Sequence, residues 1–451
     1  MNYMTSASSY EMAFRAVDTT SPVMRAAIQK WYDLYFQAAA TKDFDSCQRV
    51  PFTIVRKLTK TVFSEYAVSS KDEFVSGVLD AVDAKKLYAM QMALIGGESG
   101  LKPVPAGKGF RFAVVSRKNI LVFARDADGN MTDIGMAEHS VSGRYYYTLL
   151  ERRTVGAGGF LTITNKLYQS QSKDSLGTSV PLTTLPQYAN MEEVYTFPQP
   201  LDSVGIAWLK TPIANCVDGG PDCVSAYAAA VGLIENINRN EAQINGEFER
   251  GQSRIIVGAD MLELDETGKR RKLRGNVFTA LDEDPDNIGI NIFSPALREQ
   301  SFLSLKTEYL RNIENVIGLK RGLLSEVEAA ERTATEVTSS EGDYNLTIIS
   351  YQQAWENALR EAARICGILG TMYNIPGAHE VDDNSIVVDW GNGILFDEEK
   401  TWADYKDMVA AGLLKPEIAL GWKFNMPRDT PAQLEKIRGK YMPDVLDESG
   451  E

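Results

Sequence analysis

The chain has 451 residues, 47 Lys+Arg against 61 Asp+Glu for a formal charge of −14, and only two histidines and four cysteines. At roughly 150 residues per domain this suggests about three domains, and 44% apolar with 24% charged residues can build a core, which excludes a fibre or a disordered tail. No apolar run approaches the roughly 18 residues of a membrane span, so no membrane partner is expected.

The N-terminus lacks a basic start, an apolar stretch and a small-residue cleavage site, so secretion is not indicated. Up to about residue 90 the pattern is helical, with Ala26, Ile28, Trp31, Leu34 and Phe36, then Ile54, Leu58, Val62 and Phe63 at three-to-four spacing. After Gly96-Gly97 short β-rich runs take over (FRFAVV, ILVFA, YYYTLLE, FLTIT), broken by Asp126-Ala-Asp-Gly-Asn130 and by Gly156-Ala-Gly-Gly159. They predict a mostly antiparallel sheet. Residues 170–203, rich in Ser, Thr, Pro and Gln without periodicity, predict a connecting loop or arm.

A long helix is predicted from Val224 to about Arg250, with Tyr227, Val231, Ile234, Ile237, Ile244 and Phe248 near one stripe. Short strands at Arg254–Val257 and Asn276–Leu281 then bracket a basic loop holding Lys269, Arg270, Arg271, Lys272 and Arg274. Ser294-Pro295 suits the cap and first position of a second long helix whose stripe is Leu297, Phe302, Leu305, Tyr309, Ile313 and Val316. Two long helices flanking a small β module hold that module away from the body.

After Gly318 the glycines and charges predict a loop or short broken helix. Thr333-Ala-Thr-Glu336 reads as a capping box, in which Thr333 takes an exposed backbone N–H and Glu336 returns to the cap. It opens a third long helix with Tyr344, Ile348, Tyr351, Trp355, Leu359 and Cys366 as its stripe, ending near Gly370. A strand pair, Ser385–Trp390 and Ile394–Phe396, and three short helices complete the chain.

Catalytic signatures are missing. Lys108, Lys269 and Lys440 follow glycine but precede Gly, Arg and Tyr, so no phosphate-binding P-loop exists. His139 and His379, both expected in loops, cannot supply a multi-histidine metal centre, and the Gly156 cluster has Leu161 where a dinucleotide fingerprint needs its third glycine. Cys216 and Cys223 could close a loop or lend two thiolates to a metal, or be ordinary small residues like Cys47 and Cys366. No enzyme activity, cofactor or metal is expected.

This order of elements, with Glu331-Arg-Thr-Ala-Thr-Glu-Val337 as its most specific part, resembles the portal proteins of long-tailed double-stranded DNA bacteriophages, in particular the group from phages of Gram-positive hosts. Weaker echoes are Ile95-Gly-Gly-Glu98, Tyr147–Glu151 and Ala411–Pro416. The resemblance implies an α+β portal fold: a wing (1–222 and 334–398), stem helices (223–252 and 295–317), a clip (253–294), a tunnel loop (318–333) and a helical crown (399–451). It further implies a homo-oligomeric ring, usually of twelve, at one capsid vertex, assembled in the host cytoplasm. Its implied partners are the terminase large subunit, a head–tail adaptor, the major capsid and scaffolding proteins, and duplex DNA passing without sequence-specific binding.

Each phosphate neutralised by Lys or Arg adds affinity, so a basic bore would brake the DNA and an acidic one would repel it. Glu326, Glu328 and Glu331 are therefore candidates to face the tunnel, the alternative being a solvated helix face. The basic cluster at 269–274 runs against the overall charge, and on a clip tip it suits an acidic partner surface, the alternative being a solvated hairpin. Val231, Ile234, Ile244, Phe248, Leu305, Tyr309 and Ile313 are expected to pack the stem against neighbouring copies. Two other readings remain: a non-ring adaptor or scaffold with a coiled-coil arm, and a carboxylate-based hydrolase.

Overall fold

The computed structural model describes residues 3–36, 46–250, 254–256, 262–264, 271–273, 291–293, 298–325, 334–391, 398–424, 426–428 and 430–442. The N-terminal part is helical, with α1 (Tyr3–Phe14), α2 (Pro22–Phe36), α3 (Val50–Val62), the short strand β1 (Ala67–Ser70), α4 (Glu73–Asp83) and α5 (Lys86–Gly96). Helix α3 carries Pro51 at its start and buries Val50, Ile54, Val55, Leu58 and Val62, the spacing of a single face. Asp72 caps α4 by accepting from the Val75 N–H at 2.8 Å. Helix α5 buries nearly every residue from Ala89 to Gly96 and so lies inside the body. It ends at Gly97, where φ is +90° and a Cβ would sit 2.3 Å from the Cys223 carbonyl oxygen, so only glycine fits.

Nine strands follow: β2 (Glu98–Ala106), β3 (Gly109–Ser116), β4 (Ile120–Arg125), β5 (Met131–Ser142), β6 (Tyr145–Val155), β7 (Leu161–Ser170), β8 (Thr178–Val180), β9 (Val194–Thr196) and β10 (Ala207–Lys210). They form a three-stranded sheet ordered β10-β2-β3 and a six-stranded sheet ordered β4-β5-β6-β7-β8, with β9 also on β7. Every pairing is antiparallel. Strands β2 and β5 were absent from the β-rich runs because ESGLKPVPA and MTDIGMAEHSVS hold few β-branched residues in alternation. His139 is on β5 opposite Thr148, not in a loop.

The expected arm at 170–203 is instead built onto the sheet. Strands β8 and β9 pair with β7, and Leu176, Leu182, Leu185, Tyr188, Phe197 and Leu201 are buried. Its apolar residues are separated by Ser, Thr and Pro, so they show no period, yet Leu182, Leu185 and Tyr188 pack together against Tyr147, Leu149 and Leu167, and Phe197 and Leu201 join the main core.

Helix α6 (Val231–Arg250) leads into four short strands, β11 (Arg254–Ile256), β12 (Leu262–Leu264), β13 (Arg271–Leu273) and β14 (Asn291–Phe293), paired β11 with β14 and β12 with β13. Then come α7 (Glu299–Val316), α8 (Ala334–Met372), β15 (Ile386–Asp389), α9 (Glu398–Ala410), α10 (Pro416–Lys423) and α11 (Pro431–Tyr441). Helix α6 starts at Val231 rather than Val224, because the residues before it are bonded elsewhere. Ser225 Oγ and the Ala226 N–H donate to the Leu94 carbonyl, and Thr211 Oγ1 donates to that of Val224. The proposed cap Ser294-Pro295 lies outside the described residues, and α7 begins after Arg298.

The strand β15 runs antiparallel to β1, from Ala67 opposite Asp389 to Ser70 opposite Ile386, while its expected partner Ile394–Phe396 lies outside the described residues. One main core joins α2 to α5, the three-stranded sheet, the start of α6, the end of α7 and most of α8, with Trp31 and Trp355 fully buried in it. No disulfide joins any of the four cysteines. Among the described residues no group of side chains could hold a metal ion, and no helix is long and apolar enough to cross a membrane.

On β6, Glu151 is bound by Lys102 Nζ and Arg153 Nε, each at 2.6 Å. Burial alone would raise its pKa, but the two cations overcome burial and hold it at about 2. The folded value lies below the unfolded one, near 4.5, so the stabilisation is complete above that pH and fades as pH falls toward 2. Glu151→Gln is therefore expected to lose on the order of 3 kcal/mol at neutral pH, with the gap to the native chain closing on acidification in denaturant titrations.

Candidate functional site

Helices α6 and α7 lie antiparallel, because their contacts run in opposite senses along the chain. Arg298 holds Glu247 at 2.9 Å, Asn240 Nδ2 donates to the Phe302 carbonyl at 2.9 Å, and Lys306 meets Glu241 at 3.2 Å. Gln48 ties the segment before α3 to both helices, its N–H donating to Asn238 and its side chain accepting from Lys306. The pair thus rises from the body and carries the four short strands at its far end.

The stripe expected to pack between copies divides. Ile234 and Ile313 are fully buried in this chain's own core and Val231, Ile244 and Tyr309 are half-buried, whereas Phe248 and Leu305 remain 45% and 42% exposed. Nearer the body, Ile213, Val316 and Leu346 are exposed on a cleft of about 340 Å³ that Ala226 and Tyr351 also line.

At the end of α7 the chain turns back on itself. Gly318 has φ +68°, and a Cβ there would fall 2.7 Å from Thr347 Oγ1. Glu314, 1% exposed, gathers the returning segment. It accepts from the N–H groups of Gly322 (3.2 Å), Leu324 and Ser325 (2.9 Å) and from the Ser325 hydroxyl (2.8 Å), while Lys57 of α3 donates to the Leu323 carbonyl. The loop that leaves α7 is therefore fixed at its base to the helix and to the body. Sequence reasoning missed Glu314, although a carboxylate beside the stripe residue Ile313 in the last turn of a helix, where the dipole disfavours an anion, is a detectable misfit.

A second anchor lies where the body meets α6. Arg117, with no exposed side-chain surface, reaches Asp222 at 2.9 Å and Thr20 Oγ1 at 2.9 Å and forms an ion pair with Glu98 at 3.0 Å. Arg125 shares Asp222 at 2.7 Å, and Asp18 holds Arg25 at 2.6 Å while accepting from the Val122 N–H. The network joins the segment after α1, both sheets and the loop that precedes α6.

Of the basic cluster, Arg271 and Lys272 stand on strand β13 rather than in a loop, Arg271 opposite Leu264 and Lys272 opposite Glu263. Lys269, Arg270, Arg274, the glutamates 326, 328 and 331 and Thr333 lie outside the described residues. Helix α8 starts at Ala334, directly after Thr333, and includes Glu336. His139 Nδ1 is 3.2 Å from Thr148 Oγ1 and is held below its usual pKa by burial, and His379 faces Asp72 at 3.5 Å in a loop.

Residues 101–439 match the family model described as phage portal protein, SPP1 Gp6-like. Among solved structures, a chain from the neck of a native GTA particle, computed with C12 symmetry, is similar over 94% of this chain and 99% of its own, at 13% identity and TM-score 0.49. A chain from the neck of an empty GTA particle, computed with C6 symmetry, is similar over 89% and 93%, at 12% identity and TM-score 0.45. No curated protein matches the chain.

Proposed function

Because this chain belongs to the SPP1 Gp6-like family of phage portal proteins, we propose that twelve copies close into a ring at one capsid vertex and form the conduit for genome packaging and ejection. The observation that carries this reading is the antiparallel α6–α7 stem, with a small β module at one end and the Glu314-anchored loop at the other. The module is the clip, residues 318–333 the tunnel loop, and α9 to α11 the crown. The exposed apolar side chains Ile213, Leu305, Val316 and Leu346 are the surface that neighbouring copies cover. Negative-stain images should show a closed ring with a central hole, and a compact monomer under all conditions would overturn the assignment of a ring.

Partner roles follow from charge. Lys269, Arg270, Arg271, Lys272 and Arg274 meet an acidic surface of the terminase large subunit and, after packaging, of the head–tail adaptor. Replacing all five by alanine is expected to weaken both complexes at least tenfold, since each desolvated charge pair contributes on the order of 1.5 kcal/mol or more. Ring assembly should survive; rings that fail to form would move these residues to a subunit boundary.

Glu326, Glu328 and Glu331 keep the bore acidic so that DNA slides without being held. Reversing all three to Lys adds phosphate contacts in every subunit, and affinity that falls steeply with salt is their signature. Packaging in a motor assay should slow or arrest at low salt and partly recover at high salt; unchanged velocity and genome length would remove these residues from the tunnel.

A further inference from the structure

Two exposed apolar patches lie on different flanks of α8. The first is the cleft of about 340 Å³ at the base of the stem, where Ile213, Val316 and Leu346 are exposed. Among the described residues no charged side chain lines it. Its hydroxyls are already used inside the chain, since Ser350 Oγ donates to the Leu346 carbonyl at 2.8 Å and Ser225 Oγ to that of Leu94 at 2.9 Å. A cleft with no charge and no idle hydroxyl at these positions fits an apolar side chain better than a polar or ionic ligand.

The second patch is aromatic and is built by α3 and the end of α2. Phe52 is 44% and Phe36 56% exposed, and Tyr35 joins them with ring centroids 5.9 Å and 4.9 Å away. Arg56, one turn along α3, lies over the Phe52 ring at 5.8 Å. Aromatic rings beside an arginine are the residue types that concentrate at the centre of protein contacts. Helix α8 separates the two patches. Its Tyr344 and Gln352 reach Thr61 and the Val62 carbonyl of α3, its Thr347 and Ser350 line the cleft, and Ile348 and Trp355 are buried between. Each residue of a helix turns by about 100°, so Ser350 and Gln352 point about 200° apart. A closed ring is held by head-to-tail contacts, which need two different patches on different sides of each subunit.

We propose that the Phe52 ring of one copy, backed by Tyr35 and Phe36, enters the cleft of the next copy and packs against Ile213, Val316 and Leu346 there. The inference rests on the ring reading and names the residues through which the ring closes. Arg56 stays at the rim, where its charge keeps water while its stem covers the ring. The contact is heterologous, so each subunit gives its aromatic patch to one neighbour and its cleft to the other.

The test uses the full-length chain with Cys47→Ser and Cys216→Ser, which removes the exposed native thiol and the one that precedes α3. In that background Phe52→Cys and Leu346→Cys together, treated with a short bis-maleimide, should give a ladder of covalent multimers on denaturing gels, and neither change alone should. Rings in negative-stain images of the same sample without a ladder would overturn the contact and leave the ring standing. Monomers in those images would overturn the ring and the contact together. In otherwise native chains, Phe52→Lys and Leu346→Glu should each weaken subunit association at least about tenfold, the loss of a central contact residue. Both side chains are exposed, so folding is spared. Combined in one chain they should recover part of the loss, because opposite charges then meet. Association unchanged by Phe52→Lys, with Leu346→Glu still abolishing rings, would overturn the proposal by giving the cleft to another segment.

Discussion

Glu314→Ala is expected to destabilise the chain by about 3 kcal/mol, since the buried N–H and hydroxyl of Ser325 lose their acceptor while the N–H groups of Gly322 and Leu324 are only partly reached by water. Glu314→Gln should recover little, because one of its two oxygens becomes an NH2 group aimed at donors. The functional loss should exceed the stability loss. The surface proposed for neighbouring copies at Ile213, Leu305 and Leu346 is untouched, so rings should still form, but the loop after α7 no longer leaves the helix in a fixed direction. Packaging in a motor assay should therefore fail in rings that look normal by microscopy. A variant as stable as the native chain with normal packaging would show that the loop needs no anchor.

Arg117→Met is expected to cost about 3–5 kcal/mol, the range for breaking a buried ion pair by removing one partner. Asp222 keeps Arg125 at 2.7 Å, so Glu98, 1% exposed, is the group left unpaired. Adding Glu98→Gln should then restore roughly half of the loss. Denaturant titrations of the single and double variants measure this, and the loss should change little with salt, since buried pairs are poorly screened. No recovery in the double variant would mean that Arg117 acts through Asp222 and Thr20 instead. Because the network leads into the start of α6, the same change should also lower the yield of assembled rings.

Local signals were legible where their partners are close in the chain. The α3 face, the turns at Asp126 and Gly156 and the C-terminal helices α10 and α11, each opened by a proline, come from spacing and capping chemistry that operates within a few residues. The start of α6 was misplaced because residues 224–226 spend their backbone groups on Leu94 and Thr211, far away in sequence. The pairing of strand 386–389 with β1 was not legible, because the four residues of β1 are too short to show alternation. The arm at 170–203 failed for the same reason.

The sequence by itself determined the class of the molecule. The order of long amphipathic stretches and the Arg332-Thr-Ala-Thr-Glu336 element carry the resemblance to phage portal proteins, the family whose model matches residues 101–439. Only the tertiary structure decided which charges matter inside the body. Glu314, Arg117 and the Lys102–Glu151–Arg153 cluster are ordinary residues in the chain and become decisive when folding removes water from around them and fixes their partners, some nearly a hundred or more positions away. Burial and partner identity are set by packing across the whole molecule, and no local pattern encodes them.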